Sequence, residues 1–120
     1  MGVGIHGETG RRRVKLLPAA EIAEEMVEAI AGDLGADARG DALLLVNGFG
    51  GTPSMELYLM YDNARRLLEK RGISIARSLV GSYVTSLEMA GCSLTVTMLD
   101  EEIARHWDAP VHTAALRWKM

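Results

Sequence analysis

A histidine stands within the first ten residues, with almost no neighbouring side chain to shield its ring. The segment reads GVGIHGETG, so His6 lies two residues after Gly4, directly before Gly7 and two residues before Glu8. The glycines leave the ring approachable and the backbone flexible. A neutral imidazole can serve as a base, a metal ligand or a nucleophile toward a carbonyl. A turn histidine with its ring in solvent fits the same residues, so both interpretations stay open on pattern alone.

Other ligand and nucleophile types are scattered along the chain. His106, Asp108 and His112 are interrupted by Pro110, and the sequence has neither an HExxH motif nor a cysteine pair. This spacing gives no support to a metal site, and we expect no metal to bind. The single cysteine, Cys92, falls on the apolar side of an alternating stretch, where a free thiol behaves as a small buried hydrophobe. We therefore expect it in the core and not in catalysis.

A glycine-rich stretch, NGFGGTP at positions 47–53, follows an apolar run and precedes a helical pattern. Glycines at such a junction let backbone amides approach a ligand at the positive end of a helix dipole. The stretch matches neither the GxxxxGK[ST] nor the GxGxxG pattern, so its spacing supports no nucleotide site and we expect no cofactor on this chain. Two alternatives remain: tight packing between strand and helix, or a loop that faces a ligand.

The elements that must position these residues follow from the spacing of apolar side chains. A first helix is predicted from Pro18 to the glycines at 32 and 35, because apolar residues recur every three or four positions. Its predicted buried face consists of Ile22, Met26 and Ile30, with Ala23 and Val27 beside them. Positions 43–46 are uniformly apolar, which is typical of a strand covered on both sides.

A strand, a glycine turn, a helix and a second strand follow one another between positions 43 and 83. Thr52 is the predicted N-cap, Pro53 the first helical residue and Gly72 the stop. The predicted buried face of this helix is Leu57, Tyr61, Ala64 and Leu68. The stretch ISIARSLVGSY is β-rich, so this order predicts a βαβ unit with a parallel strand pair.

The last third of the chain completes the predicted sheet. SYVTSLEMAG is predicted as a tight turn with one helical turn, because Thr85 and Glu88 have the spacing of a capping box. CSLTVTMLD alternates apolar and polar residues and predicts a half-covered strand. Asp100 caps a short helix that Pro110 ends, and Trp118 is expected to pack on the body of the protein. The fold class is α/β: one domain with a mixed sheet flanked by helices.

Composition narrows the classes of function. The chain has 120 residues, 48% of them hydrophobic, a net charge of −3 and one cysteine. Its size suits a single core. The charge offers no basic footprint for nucleic acid or an anionic membrane. No apolar run approaches the roughly 20 residues of a membrane span, and the lone cysteine excludes an intrachain disulfide, so we expect a cytoplasmic protein.

Four segments taken together carry a resemblance to a known family: GVGIHGETG, NGFGGTPSMELY, GSYVTSLEMAGCSLT and HWDAPVHT. In this order they closely resemble the second half of the substrate-binding K subunit of dihydroxyacetone kinase. The resemblance covers nearly the whole chain. It implies that residues 1–120 are the second domain of such a subunit, with the first domain absent from this chain.

The resemblance assigns His6 a specific role. In that family the histidine of the GIHGE segment binds the carbonyl of dihydroxyacetone covalently as a hemiaminal, which selects short carbonyl compounds over glycerol. Gly4 and Gly7 would shape the loop, and Glu8 would orient the loop or the imidazole. Thr9 stands where the family usually has proline, and Ala114 where HTP is common. The first departure loosens the loop around His6.

The resemblance also implies partners. The first domain would supply most of the substrate pocket, and a separate L subunit or domain would carry ATP or ADP with Mg. The donor would be ATP or a phosphotransferase chain, and the K subunit would be a homodimer. On this basis the isolated chain should be inactive as a kinase. The alternative is a binding module without chemistry, derived from the same family, which serves dimerisation or docks a transcriptional regulator.

Overall fold

A computed structural model describes residues 1–2, 9–10 and 15–120. Within them the helices and strands, in chain order, are α1 (Ala19–Leu34), β1 (Gly40–Gly48), α2 (Ser54–Lys70), β2 (Ile73–Gly81), β3 (Cys92–Met98), α3 (Glu101–Asp108), β4 (Val111–His112) and β5 (Arg117–Trp118).

Strand β1 lies at the centre of a three-stranded sheet in the order β2-β1-β3. It runs parallel to β2 and antiparallel to β3. Helix α2 connects the two parallel strands, so the predicted βαβ unit and the mixed sheet are both confirmed. The last two strands, β4 and β5, form a separate antiparallel pair.

The core lies between the sheet and two helices. Helix α2 packs on β1 and β2, and α1 packs on α2. The core cluster consists of Ala23, Val27, Ala42, Leu44, Val46, Leu57, Met60, Ala64, Leu68 and Ile73. Leu43 lies outside this cluster, yet it too is buried, with 6% of its surface exposed. Because neighbouring residues of a strand point to opposite faces, β1 is covered on both faces, as its apolar run predicted.

Helix α1 forms where predicted but presents a slightly different face. Ala23 and Val27 are its deeply buried residues, whereas Ile22, Met26 and Ile30 are only half-buried. Ala23 and Val27 of the predicted face are therefore confirmed as buried, whereas Ile22, Met26 and Ile30 lie at its border. Since α1 packs on α2, small residues suit the line of closest approach, and the larger side chains lie to its side. Gly35, with φ of 97°, ends the helix, which runs through Gly32.

The start of α2 differs from the prediction by one residue. Pro53 occupies the N-cap position with an extended backbone, and the helix begins at Ser54. The Thr52 hydroxyl does not cap the helix. It accepts a hydrogen bond from the Gly91 amide at 2.8 Å and donates one to the Gly91 carbonyl at 3.1 Å. The Thr52 side chain, which the local pattern assigned to the helix N-cap, therefore binds the loop that contains Gly91.

The predicted helical turn in SYVTSLEMAG is wrong. Residues 82–91 contain only bends and one bridge, between Gly50 and Met89. The Thr85 hydroxyl donates to the Ser86 carbonyl instead of closing a capping box. This loop makes its hydrogen bonds with the glycine-rich stretch across from it, as described below, and those distant partners outweigh the local spacing.

The C-terminal segment follows the sequence expectations more closely. The Asp100 carboxylate accepts a hydrogen bond from the Ile103 amide at 2.7 Å, which confirms the cap of α3. Trp118 packs on Trp107 with ring centroids 6.0 Å apart.

Strand β3 packs one side against the core, as its alternation predicted. The residues on that side are Cys92, Leu94, Val96 and Met98. None of the helices in the described part of the chain is long and apolar enough to cross a membrane.

A charged cluster ties the end of α3 to strand β2. Arg77 donates two hydrogen bonds to Asp108, from Nε to Oδ1 at 2.9 Å and from Nη2 to Oδ2 at 2.8 Å. Lys119 Nζ lies 3.4 Å from the same carboxylate. The hydrogen bonds from Arg77 stabilise the charged form and lower the pKa of Asp108 from 3.8 to about 2.

This lowered pKa makes a pH-dependent contribution to stability. It should be complete above about pH 4 and should disappear as the pH falls toward 2, because the unfolded chain then binds a proton that the folded chain does not. We predict that Asp108→Asn lowers the urea midpoint of unfolding at pH 7 and has little effect near pH 2. Asp37→Asn, in the exposed loop after α1, is the control and should change neither midpoint. An equal effect of Asp108→Asn at both pH values would contradict this account.

Candidate functional site

The predicted site residues Gly4, His6, Gly7 and Glu8 lie outside the described residues, so their roles remain predictions. The residues on either side of them are described. A Cβ atom on Gly10 would lie 2.7 Å from the Gly2 carbonyl oxygen, which only a glycine avoids. Gly2 and Gly10 are therefore in contact.

An open groove of about 730 Å³ lies between the beginnings of α1 and α2. Its volume is in the range of small-molecule sites. The chain contributes to it from both helices, from the N-terminus and from residues 89–93; lining side chains include those of Met1, Leu16, Met26, Leu59, Met60 and Met89. The walls are thus formed largely by flexible apolar side chains.

Two loops close one end of this groove and bind each other through the backbone. We call residues 47–53 the glycine turn and residues 82–91 the second loop. The Phe49 amide donates to the Gly91 carbonyl at 3.2 Å, and the Gly51 amide donates to the Met89 carbonyl at 3.0 Å. The Met89 amide returns a bond to the Phe49 carbonyl at 3.3 Å. Two amides that a ligand-facing turn would offer to an anion are therefore used inside the protein.

Steric crowding explains why residues 50 and 51 of the turn are glycines. A Cβ atom on Gly51 would lie 2.9 Å from the Ala90 nitrogen, and one on Gly50 would lie 2.9 Å from the Ser86 carbonyl oxygen. Gly50 also has a φ of 103°, which side chains rarely tolerate. The turn is therefore tightly packed, but against the second loop and not between strand and helix as the first alternative had it. Phe49 and Thr52 of the turn also line the groove.

Sequence reasoning missed Asn47, whose side chain binds the second loop to the end of β1. It is the last but one residue of β1 and only 4% exposed. Its Oδ1 accepts hydrogen bonds from the amides of Tyr83 at 2.8 Å and Val84 at 2.9 Å, and its Nδ2 donates to the Val84 carbonyl at 2.7 Å. Buried amides need such partners. The signal was available: a polar residue directly after an apolar run and before a glycine turn.

Cys92 lines the groove and packs against the core. Its burial raises the pKa of the thiol, because a thiolate would lose its hydration. A raised pKa disfavours the thiolate, which is the nucleophilic form. Cys92 packs against the core, as expected, but it is only partly buried.

The other candidate ligands do not converge. Among residues 1–2, 9–10 and 15–120 there is no group of three histidine, cysteine or acidic side chains that could hold a metal ion. Asp108 is engaged by Arg77 and Lys119. The Nε2 atom of His106 lies 3.9 Å from a carboxylate oxygen of Glu102 on the same helix.

Comparison with known proteins identifies relatives. The family model described as Dak1 domain matches residues 1–115. The chain is 43% identical over 102 residues to the dihydroxyacetone-binding subunit DhaK of a PTS-dependent dihydroxyacetone kinase 1 from Listeria innocua, covering 85% of this chain and 31% of that protein. It is 43% identical over 117 residues to a D-erythrulose kinase from Mycolicibacterium smegmatis, covering 98% of this chain and 20% of that protein.

A solved structure is similar over nearly the same length. The dihydroxyacetone kinase operon co-activator Dha-DhaQ superimposes with a TM-score of 0.82 and 37% identity, over 91% of this chain and 34% of that one. The chain therefore spans between a fifth and about a third of the proteins to which it is similar.

The packing of the glycine turn can be tested with a matched pair of substitutions. We predict that Gly51→Ala lowers the free energy of unfolding by about 1–3 kcal/mol, because the new methyl group meets backbone atoms that cannot move independently. A methyl group on Gly32 of α1 would meet no atom within 4 Å, and there alanine should raise the free energy of unfolding by about 0.5–1 kcal/mol. Urea titration measures both. Equal effects of the two substitutions would show that the turn tolerates a side chain and is not packed as described.

Proposed function

Because the chain belongs to the Dak1 family, we propose that it is the second domain of a dihydroxyacetone kinase K subunit and that His6 holds dihydroxyacetone as a hemiaminal. The range that matches the family, residues 1–115, includes His6. The observation that carries the proposal is the GIHGE segment in a chain whose relatives include a dihydroxyacetone-binding subunit.

The proposed step needs no leaving group. The unprotonated nitrogen of the imidazole attacks the carbonyl carbon, and the π electron pair moves to the carbonyl oxygen, which takes a proton. The other ring nitrogen loses its proton, so the net reaction adds N–H across the C=O bond. Glycerol has no electrophilic carbon and cannot react in this way. The bond also holds the terminal hydroxyl in place for phosphoryl transfer, which depends mainly on positioning.

The residues next to His6 in the GIHGE segment have supporting roles in this proposal. We assign Gly4 and Gly7 to admitting the substrate and Glu8 to orienting the loop or the imidazole.

Complete turnover requires more than this chain. We propose that a first domain supplies the remainder of the substrate pocket and that a separate L subunit or domain carries ATP or ADP with Mg. The donor is then ATP or a phosphotransferase chain, as the relative named PTS-dependent illustrates for its own system. The K subunit is proposed to be a cytoplasmic homodimer.

A second candidate function has a specific observation in its favour. The operon co-activator to which the chain is similar is named for regulation and not for a kinase reaction. A Dak1 domain without chemistry, used for assembly or for docking a regulator, is therefore the alternative. It predicts association that does not depend on His6.

Carbon NMR with dihydroxyacetone labelled at its carbonyl carbon tests the covalent role. We expect the ketone signal to decrease and a protein-bound tetrahedral carbon to appear, and His6→Ala should abolish that new signal. His112→Ala, a histidine on the exposed side of β4, is the matched control and should retain it. The experiment is run with and without the first domain of the Listeria innocua relative.

Three outcomes separate the two functions. An adduct with the chain alone supports capture by His6 within this domain. An adduct that forms only with the added domain supports a shared pocket. If no adduct forms in either case, the covalent role is wrong and the binding module replaces it.

The substrate class gives an independent prediction. Erythrulose also carries a ketone, and a relative is named for its phosphorylation. We expect unlabelled erythrulose to displace the labelled adduct, whereas glycerol at the same concentration should leave it unchanged. Competition by glycerol would show that hydroxyl groups, and not the carbonyl, determine binding.

A further inference from the structure

The exposed side of α2 changes character along its length. Its first two turns expose Met55, Tyr58 and Leu59, which are 84%, 59% and 51% accessible. Its later turns carry ion pairs between Asp62 and Arg65, Asp62 and Arg66, and Arg65 and Glu69. The charged half has the composition of a solvated helix face, whereas the apolar half does not.

The apolar half of α2 continues into the groove. Leu59 and Leu16 both line the groove, and Leu16 is 96% accessible. Met55 lies one helical turn before Leu59 on the same side of α2. We call Leu16, Met55, Tyr58 and Leu59, with the groove they border, the apolar end of the protein.

The chemistry of the apolar end does not suit a triose. Met26, Met60 and Met89 contribute to the groove walls, and methionine side chains adapt to apolar partners. A triose carries hydroxyl and carbonyl groups and needs fixed hydrogen-bond partners. The volume of about 730 Å³ is also far larger than such a substrate requires. The groove is therefore suited to several apolar side chains of a polypeptide.

The comparisons indicate which polypeptide. The chain covers 31% of the Listeria innocua dihydroxyacetone-binding subunit, so more than two thirds of that protein has no counterpart in this chain. We infer that the apolar end is the surface on which the first domain of the K subunit docks, through apolar side chains inserted into the groove. This inference rests on the proposed assignment to a K subunit and names the surface that its partner domain covers.

Methionine oxidation can map this surface, because exposed methionines react with peroxide and covered ones are protected. Met55 reports on the apolar end and Met89 on the groove wall. Met120, which is 63% accessible and does not line the groove, is the internal control. The chain is oxidised alone and in a fusion in which it replaces the matching part of the Listeria innocua subunit. Mass spectrometry of peptides then gives the oxidation rate at each methionine.

We expect the fusion to slow oxidation of Met55 by about tenfold and to slow that of Met89, with Met120 unchanged. Met55→Lys should prevent docking in the fusion, so Met89 should then be oxidised as fast as in the isolated chain. Met120→Lys should leave the oxidation rate of Met89 in the fusion unchanged. If Met55 in the fusion reacts as fast as in the isolated chain, the docking surface is wrong.

A second copy of the chain is the competing occupant. Protection of Met55 that rises with concentration in the isolated chain, together with a doubled mass in sedimentation, would overturn the assignment to the first domain. The methionine oxidation experiment needs no substrate. A protected Met55 without any carbonyl adduct would therefore reject the role of His6 and leave the docking surface standing.

Discussion

Strand β1 is hydrogen-bonded along both edges and covered on both faces, and the other elements take their positions from it. Its parallel partner β2 can be reached only through a crossover, which fixes α2 over one face. Its antiparallel partner β3 presents alternate apolar residues to the same core. The middle of such a strand must be apolar on both sides, because little solvent reaches either face. That requirement makes 43–46 the most informative stretch of the sequence.

The end of β1 then determines how the two loops are arranged. Asn47 is buried, so its amide must find partners, and it finds them in the backbone of Tyr83 and Val84. The glycine turn lies against the same loop so closely that Gly50 and Gly51 leave no room for side chains. The glycines, which the sequence left open as part of a ligand-facing loop, instead allow two backbones to approach. The wall of the groove is built from this contact.

The two ends of the protein differ in the forces that hold them. Around Arg77 and Asp108, hydrogen-bonded ion pairs attach the last helix and the C-terminus to the sheet. At the beginnings of α1 and α2, exposed leucine and methionine side chains surround an open groove. The polar end pairs its charged side chains with one another, whereas the apolar end retains surface whose burial would be favourable. This asymmetry supports the proposal that a further domain docks on the apolar end.

The sequence by itself determined the element order, the βαβ unit, the alternation of β3 and the cap of α3, because each depends on residues close together in the chain. It also carried the family, through motifs such as the GIHGE segment around His6. Only the tertiary structure decided the partner of Thr52, the absence of a helical turn in the second loop and the role of Asn47. In each case the deciding hydrogen bond joins residues more than thirty positions apart, and local spacing contains no information about such partners.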